Sequence, residues 1–381
     1  VYNVGLEQRR EYRRRGAWIN YPQQAHELAA AKREHAWLAE APGHCLQQTL
    51  MDLDRACRTH GTFKVRWRSS RRWRPSFRFP EGNKVLVERL NRSYARVKLP
   101  KLGWVRFRLS RSLDGTVIRS ATLTREGAHW FVSFVVDDAR GTPEIHALPG
   151  TAVGVDRGVV VAVTTSDGRL RDRAFLTEGE RHRVLRLQRR LSRSAAHSRN
   201  RAKIRAVIRA IRAREHRRRR DFCAYTAHKL ATNNALVVLE ALNTKQMTRS
   251  AKGTIEAPGI NVKAKSGLNR AILSKGWHEF ALALSSAARY TGTRVVTVPP
   301  QHTSQRCSRC GHVDPKSRES QAVFRCTHCT YRGHADVNAA KNILAAGLAA
   351  TACEDSRFSA RAMSSKQEPV GNREELLLQP T

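Results

Sequence analysis

Apolar residues recur at helical spacing over the first sixty positions and then change period. In PQQAHELAAAKREHAWL and CLQQTLMDLDRAC, Leu46, Leu50 and Leu53 fall three and four apart, and Pro22 and Pro42 mark breaks between helices. From 62 to 137 the alternation shortens to every second residue. SYARVKLP, GWVRFRLS, TVIRSATLTREG and AHWFVSFVVDD, set between glycine-bearing turns, predict an antiparallel sheet or small barrel. After Pro149 the stretch TAVGVDRGVVVAVTTSDGRL is β-branched and punctuated by turns. Residues 178–230 read as a helical hairpin interrupted around SRSAAHSRNR, with Val184, Leu187 and Leu191 striping one arm and Ile204, Ile208 and Ile211 the other. ALVVLEALN predicts a short buried strand, LNRAILSKGWHEFALALSSAARY an amphipathic helix, TRVVTVPP a further strand and DVNAAKNIL a closing helix. Residues 350–381 lack periodicity and are expected to be a disordered tail.

Charge narrows the function. Lysine and arginine number 70 against 32 acids, a formal net charge of +38. Self-repulsion of that size calls for a polyanionic partner, and nucleic acid fits. No apolar run is long enough to span a bilayer and no signal-peptide pattern opens at Val1, so the expected setting is cytoplasmic, with no membrane partner. In FKVRWRSSRRWRPSFRF, arginines interleave with Trp67, Trp73, Phe77 and Phe79, a composition that suits stacking on bases while gripping phosphates; aromatics turned into a core are the equal alternative. Few acids accompany the arginines of the 178–230 hairpin, which points to a nucleic-acid groove.

Cys307-Ser-Arg-Cys310 and Cys326-Thr-His-Cys329 make two CxxC knuckles across a polar, turn-rich span. Two such knuckles deliver four thiolates to one tetrahedral zinc, whereas a redox pair would account for only one of them. His302, His312, His328 and His334 lie nearby, but four thiolates already complete the shell. So short a ribbon buries little apolar surface, and zinc is expected to supply on the order of 10 kcal/mol of its folding energy. Cys45, Cys57, Cys223 and Cys353 are scattered and read as packing or surface residues.

Three acids carry the remaining chemistry. Asp156 closes the strand in VGVDRG, Glu240 closes the strand in VVLEALN, and Asp336 opens DVNAAKNIL. Each alone has a plain reading: a turn residue, a strand-end charge, a helix N-cap. Their order along strand, hairpin, strand, helix, strand and helix describes an RNase H-like sheet that would gather all three at one end. Carboxylates within about 4 Å repel by roughly 4 kcal/mol per pair at an effective dielectric near 20, which a divalent cation relieves. Oxygen-only ligands favour Mg2+ or Mn2+, suited to phosphodiester hydrolysis. Asn243 and Asn338 could orient water or phosphate, with capping as the plainer role.

GVDRG, LEALN, LNRAILSKGWHEF, QHTSQRCSRCGHVD and HADVNAAKNI, in that order, resemble the RuvC-type nuclease core of the transposon-encoded TnpB/OrfB family, related to the compact type V CRISPR nucleases. VYNVGLEQRR, LDRAC and VKLPKLGWVRF extend the likeness toward the amino terminus. The resemblance implies an α/β RNase H-like (RuvC) core with an inserted zinc ribbon, catalytic acids Asp156, Glu240 and Asp336, and zinc ligands Cys307, Cys310, Cys326 and Cys329. It implies an RNA-guided DNA endonuclease whose partners are guide RNA from its own mobile element and double-stranded DNA, with pairing to the guide reading most of the target. It further implies a helical recognition segment over 1–61, a barrel-like wedge domain over 62–148, the nuclease core over 149–300, the ribbon over 301–334, and the last core helix over 335–349. Against the family pattern, the chain starts at Val1 with the opening strand and first turn expected to be missing, the stretch from Cys57 to Phe77 is short, and Thr330 stands where glycine is common. The alternatives are a nuclease-inactive RNA-guided DNA-binding protein, a transposase that joins strands itself, and a basic zinc-ribbon RNA-binding protein.

Overall fold

The computed structural model describes residues 1–69 and 74–364, with side chains described through Cys353. It divides into two compact units: Val1–Arg140 with Arg186–Ala213, and Gly141–Leu185 with the chain from Arg214 onward.

In the first unit, α1 (Tyr2–Arg14), α2 (Tyr21–Glu34), α3 (Ala36–Glu40) and α4 (Gly43–His60) part near the two prolines as expected, but the stretch PQQAHELAAAKREHAWL, expected to be one helix, is also split at His35, whose backbone is extended. Pro22 lies in the first turn of α2, behind an Asn20–Gln23 capping box, and Pro42 is the N-cap of α4. Leu6, Leu53, Cys57 and Val65 form the small core between α1 and α4.

β1 (Ser76–Phe79), β2 (Leu86–Arg89), β3 (Tyr94–Leu99), β4 (Gly103–Arg108), β5 (Val117–Glu126) and β6 (His129–Asp137) follow. The expected barrel is instead two three-stranded antiparallel sheets, β1-β5-β6 and β2-β3-β4, around one core that includes Phe79, Val97, Leu99 and Ala121. The ladder breaks at the 3-10 turn Gly82–Lys84, which lies so close to β5 that a Cβ on Gly82 would meet the Ile118 carbonyl. The arginine-aromatic run splits: Phe79 is core, Phe77 stacks on Trp130 at the surface with centroids 6.0 Å apart, and Arg10 lies 4.7 Å from the exposed Trp67 ring. Trp73 lies outside the described residues.

The second unit is built on β7 (Ala152–Asp156), β8 (Val163–Thr165), β9 (Leu170–Arg171), α5 (Glu178–Arg193), α6 (Arg199–Asn233), β10 (Leu236–Glu240), α7 (Thr244–Met247), α8 (Val262–Lys275), α9 (Trp277–Thr291), β11 (Arg294–Val298), β12 (Val323–Arg325), β13 (Arg332–His334) and α10 (Ala335–Ser364), with the middle of the α5–α6 hairpin belonging to the first unit. The hairpin breaks where expected, and Val184, Ile204 and Ile211 are buried. The stretch expected to be one helix is two, α8 and α9, parted at Gly276 with φ +72°. α10 runs on to Ser364, past the 349 boundary, because the alanine- and leucine-rich residues after Ile343 favour helix; residues 365–381 of the expected tail lie outside the described residues.

The sheet runs β11-β10-β7-β8-β9, with β11, β10 and β7 parallel and β8 and β9 antiparallel additions. Strand alternation sorts its residues by face. Val153, Val155, Val237 and Leu239 face α6 and α9, packing with Cys223, Ala227, Phe280 and Leu284. Val238 and Val298 face α10 and pack on Ile343. On this second face α10 comes into near backbone contact: a Cβ on Gly154 would lie 2.1 Å from the Ala340 carbonyl oxygen, and one on Gly347 would meet Val238 at 2.4 Å. Gly154→Ala must therefore push the helix off the strand. It should cost about 1–3 kcal/mol, read as a lower urea midpoint at unchanged slope; an unshifted midpoint would show that α10 can stand off freely.

Candidate active site

The site forms where three elements end or begin. The last rung between β7 and β10 pairs Val155 with Leu239. Asp156 and Glu240 are each the next residue, so they leave adjacent strands about 4.8 Å apart on the face that carries α10. Asp336 lies in the first turn of that helix. Its carboxylate is 4 % exposed and accepts a 3.0 Å ion-pair contact from Arg318 Nη2. Glu240 is buried, and its Oε1 accepts a hydrogen bond from the Thr303 hydroxyl.

Electrostatics couple the three. The Asp156 carboxyl is pushed up to about 7, by burial first and then by the charges of Glu240 and Asp336; Arg318 and the Arg157 backbone amide pull the other way. Burial also raises Glu240, opposed by the Thr303 hydroxyl and the Arg157 charge. The set is looser than the cysteine cluster: among the described residues, only the four thiols bring their ligand atoms all within 4.8 Å of one another. In this geometry a half-buried cation of the protein, Arg318, offsets part of the excess negative charge.

The donor set fits a hard divalent ion, being all oxygen and mutually repelling. Cys307 and Cys329, and Cys310 and Cys326, bring their sulfurs to 3.6 Å, near the spacing a tetrahedral Zn–S shell requires. His312 and His328 stack on each other with centroids 5.3 Å apart and are not in that set. Gly311 and Thr330 follow the second cysteine of their knuckles, with φ +78° and +60°, so the position prefers glycine for its left-handed backbone.

The knuckle region is sewn to α10. Asn338 Oδ1 accepts from the Ser308 amide at 2.9 Å and its Nδ2 donates to the Arg306 carbonyl at 2.8 Å. Asn342 Nδ2 donates to the carbonyls of Thr303 and Arg306 at 2.9 and 2.7 Å. Asn338 is thus a tether, and Asn243 caps α7 by accepting from the Gln246 amide at 3.0 Å. Sequence reasoning missed Thr303, Arg318, Asn342 and Arg157; the last adjoins Asp156 yet is buried, an unusual state for arginine. Cys45, Cys57 and Cys223 are packing residues of three separate cores, and Cys353 is exposed.

Residues 134–251 match the family described as "Probable transposase", and residues 277–343 match the "Cas12f1-like, TNB domain". The first range holds Asp156 and Glu240, the second the four cysteines and Asp336. Over 380 residues the chain is 37 % identical to the "Putative RNA-guided DNA endonuclease InsQ" of Escherichia coli (strain K12), covering 97 % of this chain and 91 % of that one. Over 393 residues it is 30 % identical to a counterpart of the same description in Streptomyces pristinaespiralis, covering 97 % and 90 %. The solved Cas12f1–sgRNA–target DNA complex superposes with a TM-score of 0.56 over 90 % of this chain and 79 % of that one; at 15 % identity this is a likeness of fold, that of a compact type V nuclease. No helix among the described residues is long and apolar enough to cross a membrane.

Proposed function

Since this chain belongs to the TnpB/OrfB family of transposon-encoded RNA-guided DNA endonucleases, we propose that it cuts DNA at a single RuvC-like site made by Asp156, Glu240 and Asp336. One observation carries the reading: β7, β10 and α10 bring three carboxylates together in a buried setting, where burial first and then the charges of Glu240 and Asp336 hold the Asp156 proton near neutral pH. The sheet order, three antiparallel strands extended by two parallel ones, supports an RNase H-like core. Mg2+, or Mn2+ in its place, held by these oxygens would supply the Lewis acidity for phosphodiester hydrolysis. The chain's own residues hold and aim the ligands. Thr303 fixes Glu240 by its hydroxyl, and Arg318, which holds Asp336 in place, would be positioned to offer its guanidinium to an anionic phosphate beside the acids. Zinc on the four cysteines is structural. The helices over 1–61, the sheets over 62–148 and the arginine-bearing α5–α6 hairpin grip guide RNA and target DNA, and the protein is cytoplasmic and nucleoid-associated.

The test is cleavage of a plasmid carrying a guide-matched target by protein purified with its RNA. Linear product that needs both RNA and Mg2+ is expected. Tight binding without cutting would identify an inactive DNA-binding protein, and strand joining without RNA a transposase.

The pH dependence follows from Asp156. Its folded pKa near 7 lies above the ordinary carboxylate value of about 4, so between those pH values the folded chain keeps a proton that the unfolded chain has released. This group's contribution to the stability of the cation-free protein is therefore full below about pH 4 and lost as pH rises through 7. A cation must displace the same proton. Calorimetric Mn2+ affinity should climb from about pH 5.5 to 7 and then level off; a flat profile would remove Asp156 from the ligand set.

A further inference from the structure

Arg157 follows Asp156 directly and is only 7 % exposed. A guanidinium is expensive to bury, and burial lowers its pKa while the charges of Glu240 and Asp156 hold it up. Its hydrogen bonds go to main-chain carbonyls: Nη2 donates to Glu240 O, and Nη1 to Trp277 O at 3.5 Å. Nε is buried without a partner, so the group is not optimised as a stabilising contact. Trp277 returns the link, donating from Nε1 to Gly158 O at 3.2 Å. The end of β7, the end of β10 and the start of α9 are thereby knotted together directly behind two of the three acids.

We propose that Arg157 is a positioning residue: its two-carbonyl fork pins the strand end that carries Glu240 to the one that carries Asp156, and so presets the spacing of the divalent-cation ligands. The inference rests on the assignment of those acids as cation ligands. The plain alternative is charge balance, in which Arg157 merely offsets carboxylate repulsion. The two roles differ in sign. Removing a positive charge beside the ligands should tighten cation binding, whereas releasing the clamp should weaken it. Lysine keeps the charge but cannot fork to two carbonyls.

The experiment measures Mn2+ binding by calorimetry on the RNA-loaded protein without DNA, for the parent, Arg157→Met, Arg157→Lys and Asp156→Ala, each first checked for its thermal unfolding midpoint. Both Arg157 variants should bind Mn2+ about tenfold more weakly, with cleavage at saturating Mn2+ also reduced; a variant that does not fold is replaced by Arg157→Gln, for which the same weakening is expected. Tighter binding by Arg157→Met, or parent-like binding by Arg157→Lys, overturns the clamp while leaving the acids as ligands. Parent-like binding by Asp156→Ala overturns the ligand assignment, and the clamp with it.

Discussion

Asp156→Ala should lower the rate of target cleavage at least a thousandfold, more than about 4 kcal/mol of transition-state stabilisation, while guided DNA binding stays within a fewfold of the parent. The size follows from the geometry. Asp156 lies level with Glu240 across the central strands and interacts electrostatically with both other acids, so under the proposed assignment its loss would remove the ligand that joins them. Glu240→Gln and Asp336→Asn should be comparably inactive, and double variants little worse than singles, as for groups that act as one unit. Binding is spared because the cationic surface is spread over the chain. Gel-shift and cleavage assays on the same RNA-loaded preparation separate the two effects. Undiminished cutting by Asp156→Ala would take this residue out of the mechanism.

Removing zinc should abolish cleavage together with the fold of residues 301–334. The ribbon's own core is Cys307, Phe324, Cys326 and Ala335, two of them metal-ligand candidates, so little apolar burial remains without the ion. β13 ends at His334 and α10 starts at Ala335, and Asn338 and Asn342 hold the first knuckle against the helix. The ribbon also carries Arg318, which pairs with Asp336. Its unfolding would free the first turn of α10, and Asp336 with it. Chelation, or Cys307→Ser with Cys310→Ser, should expose Arg325 and its neighbours to protease and stop cutting in parallel, with guide RNA still bound. Cutting that survives with the ribbon digested would show that zinc is not a brace for the active site.

Much of this architecture was legible in the chain. Two-residue periodicity located β3 to β6, and helical periodicity located α4 and both arms of the α5–α6 hairpin, because each element buries one face and its sequence must repeat with the backbone. What was missed had no periodic signal. The Gly276 break inside an otherwise amphipathic stretch depends on one residue taking a left-handed conformation, with the Arg219 side chain packed where a Cβ would stand. Where a small barrel was expected there are two sheets, and the short turn at Gly82–Lys84 lies between the strand β1 of one and the strand β2 of the other. Thr303, Arg318 and Arg157 are ordinary residues in the sequence, and their roles come from neighbours 63, 18 and 83 positions away.

The sequence by itself settled which chemical groups were available: four thiols in two knuckles, three acids in a cationic chain, and the order of elements that carries them. Those depend on residue identity and local spacing, which act without long-range contacts. Tertiary structure alone decided how the acids meet. Their mutual repulsion opposes meeting, and it is overcome by packing elsewhere, as Gly154 and Gly347 let α10 close on the sheet and Asn338 and Asn342 fasten the ribbon beside it. The placement of Asp336 against Asp156 and Glu240 is therefore a property of contacts between segments far apart in the chain.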